Sequence, residues 1–250
     1  MQSGEEEHRG WSYLIIGLLL VAIWHLFAVL LNSIALPTPL AVFCAFISGI
    51  KDELLAHLLI SAIRVGCGIL LALSLAVPLG LVSYKNRADK IVAPLIYLLY
   101  PIPHIVLLPL VILLFGIGNF SKIILIAIIV FFQILVTTRD AARNLSMNYI
   151  YSLLSLGASE KDIYKHVILP ASLPKILTAM RISIGTAIAV LFFVESFATT
   201  KGLGYLIMDA WSRMDYPDLY AAIVTMALLG FCLYMMLEKV EHKVCAWVYV

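Results

Sequence analysis

Apolar runs of about 20 residues recur along this chain, and few folds can absorb that pattern. A helix crosses the hydrocarbon core of a bilayer with about 20 residues. The runs fall at 12–31, 57–83, 91–114, 121–138, 171–198 and 219–238. Single open strands leave backbone groups unsatisfied in lipid, so the spacing predicts an all-α, polytopic membrane protein with six transmembrane helices. Composition agrees: of 250 residues, 63% are hydrophobic and 13% charged, against about 25% charged in an average globular chain. Mean hydropathy is +1.03. The chain reads as a single transmembrane domain, 1–250, with no sizeable soluble domain. The first run follows an acidic stretch, Glu5, Glu6 and Glu7, and shows no small-residue cleavage site, so it is expected to be a retained helix rather than a signal peptide.

Lysine and arginine set the expected orientation. With the N-terminus inside, Arg9, Lys85, Arg87, Lys90, Arg139, Arg143, Lys161, Lys165, Lys175, Lys239 and Lys243 are cytoplasmic, whereas Lys51, Lys122, Lys201 and Arg213 are outside. Both termini and the 139–170 segment are therefore expected in the cytoplasm. The net charge of +2 and the lack of a basic stripe give no indication of a nucleic-acid partner. The four cysteines, Cys44, Cys67, Cys232 and Cys245, show no metal-ligand spacing and read as small packing residues.

The longest polar interruption late in the chain, Gly157 to Pro174, has the local chemistry of a rigid corner. A helix from about Asp140 to Leu156 is expected to stop at Gly157, which relieves a left-handed turn after a C-cap. Ser159 and Asp162 then form a capping pair for a short helix to about Ile168, with Pro170 as its expected stop. Leu153, Leu156, Ile163 and Val167 can share one apolar stripe. That stripe fits either a docking piece for a soluble partner or an amphipathic helix lying flat on the membrane.

Gly157, nine residues, Val167, one residue and Leu169-Pro170 together resemble the cytoplasmic EAA loop of binding-protein-dependent ABC importer permeases. The resemblance extends over about 150 residues. Pro101-Ile102-Pro103, Leu107-Leu108-Pro109 and Phe115-Gly116-Ile117-Gly118 are similar to the third-span region of the nitrate/sulfonate/taurine-type permeases. Glu195 and Gly202-Leu203-Gly204-Tyr205-Leu206-Ile207 are similar to the segment after their fifth span. One feature departs: the Glu-Ala-Ala that names the loop would fall at Tyr151, Ser152 and Leu153, without its charged anchor.

The resemblance implies a type I (MetI-like) fold and a permease subunit in the inner membrane that works as a homodimer. It also implies two ATPase subunits docked through Leu156, Gly157, Ala158, Ser159, Asp162, Val167, Leu169 and Pro170, and an extracytoplasmic substrate-binding protein. The expected substrate is a small anion of the sulfonate, taurine, nitrate or bicarbonate class, with a thiamine-precursor pyrimidine or another small solute as the alternative. The chain has no G-x-x-x-x-G-K-[ST] phosphate loop. It is therefore expected to be no enzyme and to hold no cofactor or metal, with ATP and Mg on the partner ATPase. An ion-coupled secondary transporter is the rival from another energetic class; it would need repeated halves with interrupted helices.

Ionisable residues within spans are costly, about 2.5–3.5 kcal/mol for a central Arg or Asp on insertion scales. Arg64, Arg181 and Glu195 fall in that category. Arg181 is placed to snorkel; Arg64 and Glu195 can pair with each other or face a solute. The third run carries Pro94, Pro101, Pro103 and Pro109. Such a helix should bend, and Pro101, Pro103 and His104 are its candidate pathway residues. Gly66, Gly68, Gly80 and Gly185 are expected to permit close helix approach.

Overall fold

The computed structural model describes residues 2–248, with side chains described at Tyr13 and from Ile15 onward. Every regular element among them is helical. In chain order they are α1 (Gln2–Leu31), α2 (Pro39–Lys51), α3 (Leu54–Val82), α4 (Asn86–Leu99), α5 (Leu108–Phe115), α6 (Asn119–Arg143), α7 (Met147–Ser155), α8 (Glu160–Ile163), α9 (Leu169–Glu195), α10 (Leu203–Ser212) and α11 (Tyr216–Val244). Among the described residues, α3, α6, α8–α9 and α11 are each long and apolar enough to cross a membrane. The bent pair α4–α5 makes a fifth crossing, and α1 adds the apolar stretch Ile15–Leu31.

Helix α6 is the centre of the core. Its Leu125, Ile126, Val130, Ile134 and Leu135 are buried together with Val65, Ala72 and Ala76 of α3 and Ala187, Leu191 and Val194 of α9. Helices α3 and α6 run parallel: Arg64 meets Asn119 near the start of both, and Arg143 meets the Ser83 carbonyl at the far end. Small residues allow this closeness. A Cβ on Gly68 would lie 2.6 Å from Ile126, and one on Gly80 would lie 2.6 Å from Thr138. Gly66 and Gly185, by contrast, face open space. Helix α9 returns antiparallel, with Glu195 beside Arg64 and Ile176 beside Leu81 at the other end.

Two parallel neighbours require the chain to cross back between them, and α4–α5 makes that return. The third run, 91–114, is not one bent helix but two helices set at 79°. Between them lie Tyr100–Pro103 and a 3₁₀ turn, His104–Leu107. Pro101 and Pro103 cannot donate backbone hydrogen bonds, so the helical ladder ends there.

Three further differences from the sequence reading are local. The helix expected over 140–156 is two helices, because Asn144 closes α6 and Ser146 caps α7. The Ser146 hydroxyl accepts the Asn148 N–H at 3.4 Å, a local bond that competes with a continuing helix. Pro170 does not end the short helix. A π turn, Tyr164–Ile168, brings the Leu169 N–H to the Tyr164 carbonyl, and this wider turn seats Pro170 in the first turn of α9. Helices α2 and α10, too short to span, lie outside the six apolar runs.

Candidate functional site

The Gly157 end carries the corner. Helix α7 closes with the paired bonds of a Schellman motif: the Ala158 N–H donates to the Leu153 carbonyl at 3.1 Å and the Gly157 N–H to Leu154 at 3.0 Å. Gly157 has φ +79°, a region that L side chains rarely occupy. Ser159 Oγ accepts the Asp162 N–H at 3.4 Å, and the Ser159 N–H donates to Asp162 Oδ2 at 2.9 Å, a reciprocal capping box. The Ser159 hydroxyl and backbone hold the Asp162 carboxyl below its ordinary range.

Beyond the corner the chain dives back into the protein. Ile163 and Ile168 are buried against Leu81, Ala142 and Ile176, and Val167 is buried as well. Leu156 is 83% exposed and so leaves the stripe that the sequence assigned to it. Gly157, Ser159 and Asp162 are exposed, and Ala158, Leu169 and Pro170 are half-buried. Tyr149, Tyr151 and Leu154 of α7 are exposed with Leu156. The corner thus presents apolar and aromatic side chains outward on a base fastened to α3, α6 and α9.

At the α4–α5 break Pro101 and Pro103 are exposed and His104 is half-buried. The His104 ring stacks on Phe132 of α6 with centroids 4.7 Å apart. Tyr100, on the other side of the break, lies 6.3 Å from the same ring. Phe132 therefore contacts both halves of the broken crossing. An apolar groove of about 610 Å³ lies beside the break, between α5 and Phe193 and Phe197.

The Glu195 end holds a buried polar knot. Arg64 Nη1 lies 2.7 Å from Glu195 Oε1 and donates to the Lys201 carbonyl at 2.7 Å. Its Nε and Nη2 both donate to Asn119 Oδ1, at 2.9 and 2.7 Å. Ser61 Oγ contacts both carboxylate oxygens of Glu195, at 2.9 and 2.8 Å, and accepts the Leu203 N–H at 2.8 Å. The Gly204 N–H donates to Glu195 Oε2 at 3.0 Å. His57 Nδ1 lies 3.0 Å from the Gly202 nitrogen and 3.1 Å from its carbonyl oxygen, and Nε2 lies 3.5 Å from Glu53 Oε2. A Cβ on Gly202, at φ +121°, would fall 2.3 Å from the Glu195 carboxyl carbon. Glycine there is what lets the loop close over the carboxylate.

Arg64 and Glu195 are thus brought together, and their polar atoms are engaged by the chain itself. Arg181 is not a snorkelling side chain; it pairs with Glu241 of α11. The sequence reading missed His57, Ser61, Asn119 and Phe132. The first two had a usable signal, since His57, Ser61 and Arg64 are spaced four and three apart, on one helical face. Asn119 and Phe132 carry no local pattern.

Residues 68–244 match the family described as binding-protein-dependent transport system inner membrane component. The chain is 35% identical over 237 residues to a putative ABC transporter permease of Methanocaldococcus jannaschii, covering 92% of this chain and 89% of that one. It is 31% identical over 243 residues to a putative aliphatic sulfonates transport permease of Bacillus subtilis, covering 95% and 88%. Identity is 30% over 237 residues to the taurine transport system permease of Escherichia coli, covering 91% and 86%. Among solved structures, an inward-facing MetNI methionine ABC transporter chain superposes with TM-score 0.67 at 16% identity, covering 78% of this chain and 98% of that one. That similarity shows the fold. The chain belongs to the binding-protein-dependent transport system inner membrane components and is an integral membrane permease subunit of an ABC importer.

Proposed function

We propose that this chain forms half of a homodimeric pathway for a small organic or inorganic anion of the sulfonate class. Relatives named for aliphatic sulfonates and taurine, each matched over more than nine-tenths of this chain, support that substrate class. Two ATPase subunits, which bind ATP and Mg, dock on the two 139–170 segments. Those segments and both termini face the cytoplasm, in line with the distribution of Lys and Arg. A separate capture protein delivers the substrate at the Glu195 end.

The observation that carries the docking assignment is the outward corner: Tyr149, Tyr151, Leu154 and Leu156 exposed on a base buried into three spanning helices. Exposed apolar side chains on a rigid base mark an interaction site, and the Schellman turn at Gly157 fixes their direction. Tyr151 replaces the acidic anchor of the loop as a contact with the ATPase. On the pathway side Pro101, Pro103 and His104 line a break that can change its angle. Arg64 and Glu195 frame the far end of the pathway as a clasp, since their polar groups are already engaged. Closure of the ATPases on nucleotide shifts a two-state balance, moving the corners and with them the break.

Co-purification tests the assignment. The tagged chain, extracted in mild detergent from a host expressing its neighbouring genes, should retain an equimolar phosphate-loop ATPase. Gly157→Asp should release that ATPase while the spans stay inserted. Uptake at the wild-type rate in Gly157→Asp would sink the docking assignment.

A further inference from the structure

Helix α4 is held in the molecule in an unusual way. Of its 14 residues only Val92 and Ile96 are buried, and Ile91, Tyr97 and Leu98 lie exposed along it. Its first turns are instead tied by charge. Asp89 Oδ1 accepts from Arg139 Nε at 2.6 Å and its Oδ2 from Arg139 Nη2 at 3.0 Å, and Arg143 Nη1 lies 3.0 Å from the same Oδ2. Arg143 also donates at 3.2 Å to the carbonyl of Ser83, the residue that caps α3. From the opposite side, Glu160 of α8 takes Lys85 at 2.6 Å. The turn 83–89 is therefore gripped by both arms of the corner segment: by the end of α6, which enters it, and by α8, within it.

These grips differ in strength. Asp89 and Arg139 have side chains only 14% and 17% exposed, and the two guanidinium bonds form a shielded fork, the strong geometry for such a pair. Lys85 and Glu160 are 42% and 77% exposed, where ion pairs contribute little. The shielded fork is the contact able to transmit a displacement. It pulls on the start of a lightly packed helix whose other end, Tyr100, is the edge of the Pro101–Pro103 break.

We propose that Asp89 is the positioning residue that carries movement of the corner segment into α4 and so into the break. The inference rests on the permease reading above. The Arg139 fork displaces Asp89 when the corner moves, α4 follows as a body, and the crossing changes its angle between Tyr100 and His104, where Phe132 holds both halves. Asp89 touches neither the exposed side chains around Gly157 nor the Pro101–His104 break, so its loss should separate ATP hydrolysis from the pathway rather than abolish either part.

The test uses the complex of this chain with its co-purified ATPase, reconstituted in liposomes. The cysteines Cys44, Cys67, Cys232 and Cys245 are replaced by Ser and Ile102→Cys is introduced at the break, where the side chain is 42% exposed. Labelling by N-ethylmaleimide is followed without nucleotide and with ATP and vanadate. In the otherwise wild-type chain, trapping should change the labelling rate by about tenfold, the order of an ordinary coupling between sites. With Asp89→Asn the ATPase should stay bound and hydrolyse ATP, but the nucleotide effect at Ile102→Cys should vanish; Asp89→Glu should restore it. A purely structural role would lower binding, hydrolysis and labelling together. If Asp89→Asn fails to assemble, Arg139→Gln carries the same test, because it leaves Asp89 its partner Arg143. A full nucleotide effect in either assembled variant overturns the proposal, as does an Ile102→Cys rate that ignores nucleotide in the parent. A parent chain that retains no ATPase overturns the permease reading instead.

Discussion

At the Glu195 end, a carboxylate and a guanidinium with almost no exposed surface are closed in by α3, α6, α9 and the loop before α10. At the Gly157 end, the corner is shaped by bonds within a dozen residues, nearly all at the surface. The contrast assigns different tasks to similar chemistry. A buried, fully hydrogen-bonded pair resists change because removing either partner strands the other out of water. Local surface bonds define a shape at little cost and leave the segment free to meet a partner.

The sharpest break in that comparison is Arg64→Ala, which leaves Glu195 buried and unpaired. A loss of about 3–5 kcal/mol is expected, read as a collapse of folded yield and of the melting temperature on detergent size exclusion. Arg64→Met combined with Glu195→Leu should recover part of that loss, since an apolar pair strands no charge. Arg64→Ala melting like wild type would remove the knot from any structural role.

Next in size is one substitution made at both ends. Gly202→Ala drives a methyl group into the Glu195 carboxylate and should also prevent accumulation of folded protein. Gly157→Ala meets open space, so only the backbone strain remains, about 1 kcal/mol. Melting curves of the two variants should differ widely; equal curves would mean that close approach at Gly202 does not matter.

Ser159→Ala should cost about 1 kcal/mol in the corner, too local to shift global melting by much. It should appear as faster amide exchange over 159–163 and weaker retention of the ATPase. The same corner has a pH dependence. Because Ser159 holds the Asp162 pKa below its ordinary 3.8, the folded corner favours the charged carboxylate. The resulting stability is present above about pH 3.8 and is lost as pH falls through the depressed value. Amide exchange in the corner should therefore be flat near neutrality and accelerate only in acid.

Smallest of all is Lys85→Ala. Its partner Glu160 holds the Lys85 pKa up and is itself held down, but both groups are solvated and salt screens them. No change in melting is expected. A clear shift would raise the Lys85–Glu160 contact to the rank of the Asp89 fork.

The corner was legible in the sequence because its signals are local. Gly157, Ser159 and Asp162 each act on backbone groups within a few residues, and all three do in the structure what their spacing implied. The spans were legible because a bilayer imposes their length. Pro170 misled because proline forbids one hydrogen bond but not a wider turn, and nothing in its neighbourhood announces a π turn. The knot was half-visible. Arg64 and Glu195 stand out as charges inside apolar runs, yet Asn119, which fixes the guanidinium from 55 positions away, is one amide at the start of a helix. Asp89 carries no local pattern, and only the fold places two arginines against it.

The parallel setting of α3 and α6 has a consequence for biogenesis. Successive spans enter the membrane in alternating directions, so α6 can lie alongside α3 only if the proline-rich segment between them is itself accepted as a crossing. Were α4–α5 left on the surface during synthesis, α6 would thread the opposite way, and Asn119 could no longer reach Arg64, nor Arg139 reach Asp89. The proline-broken segment therefore sets the orientation of every span made after it. Ribosome-bound chains arrested shortly after Arg143 would be the natural place to watch that decision being taken.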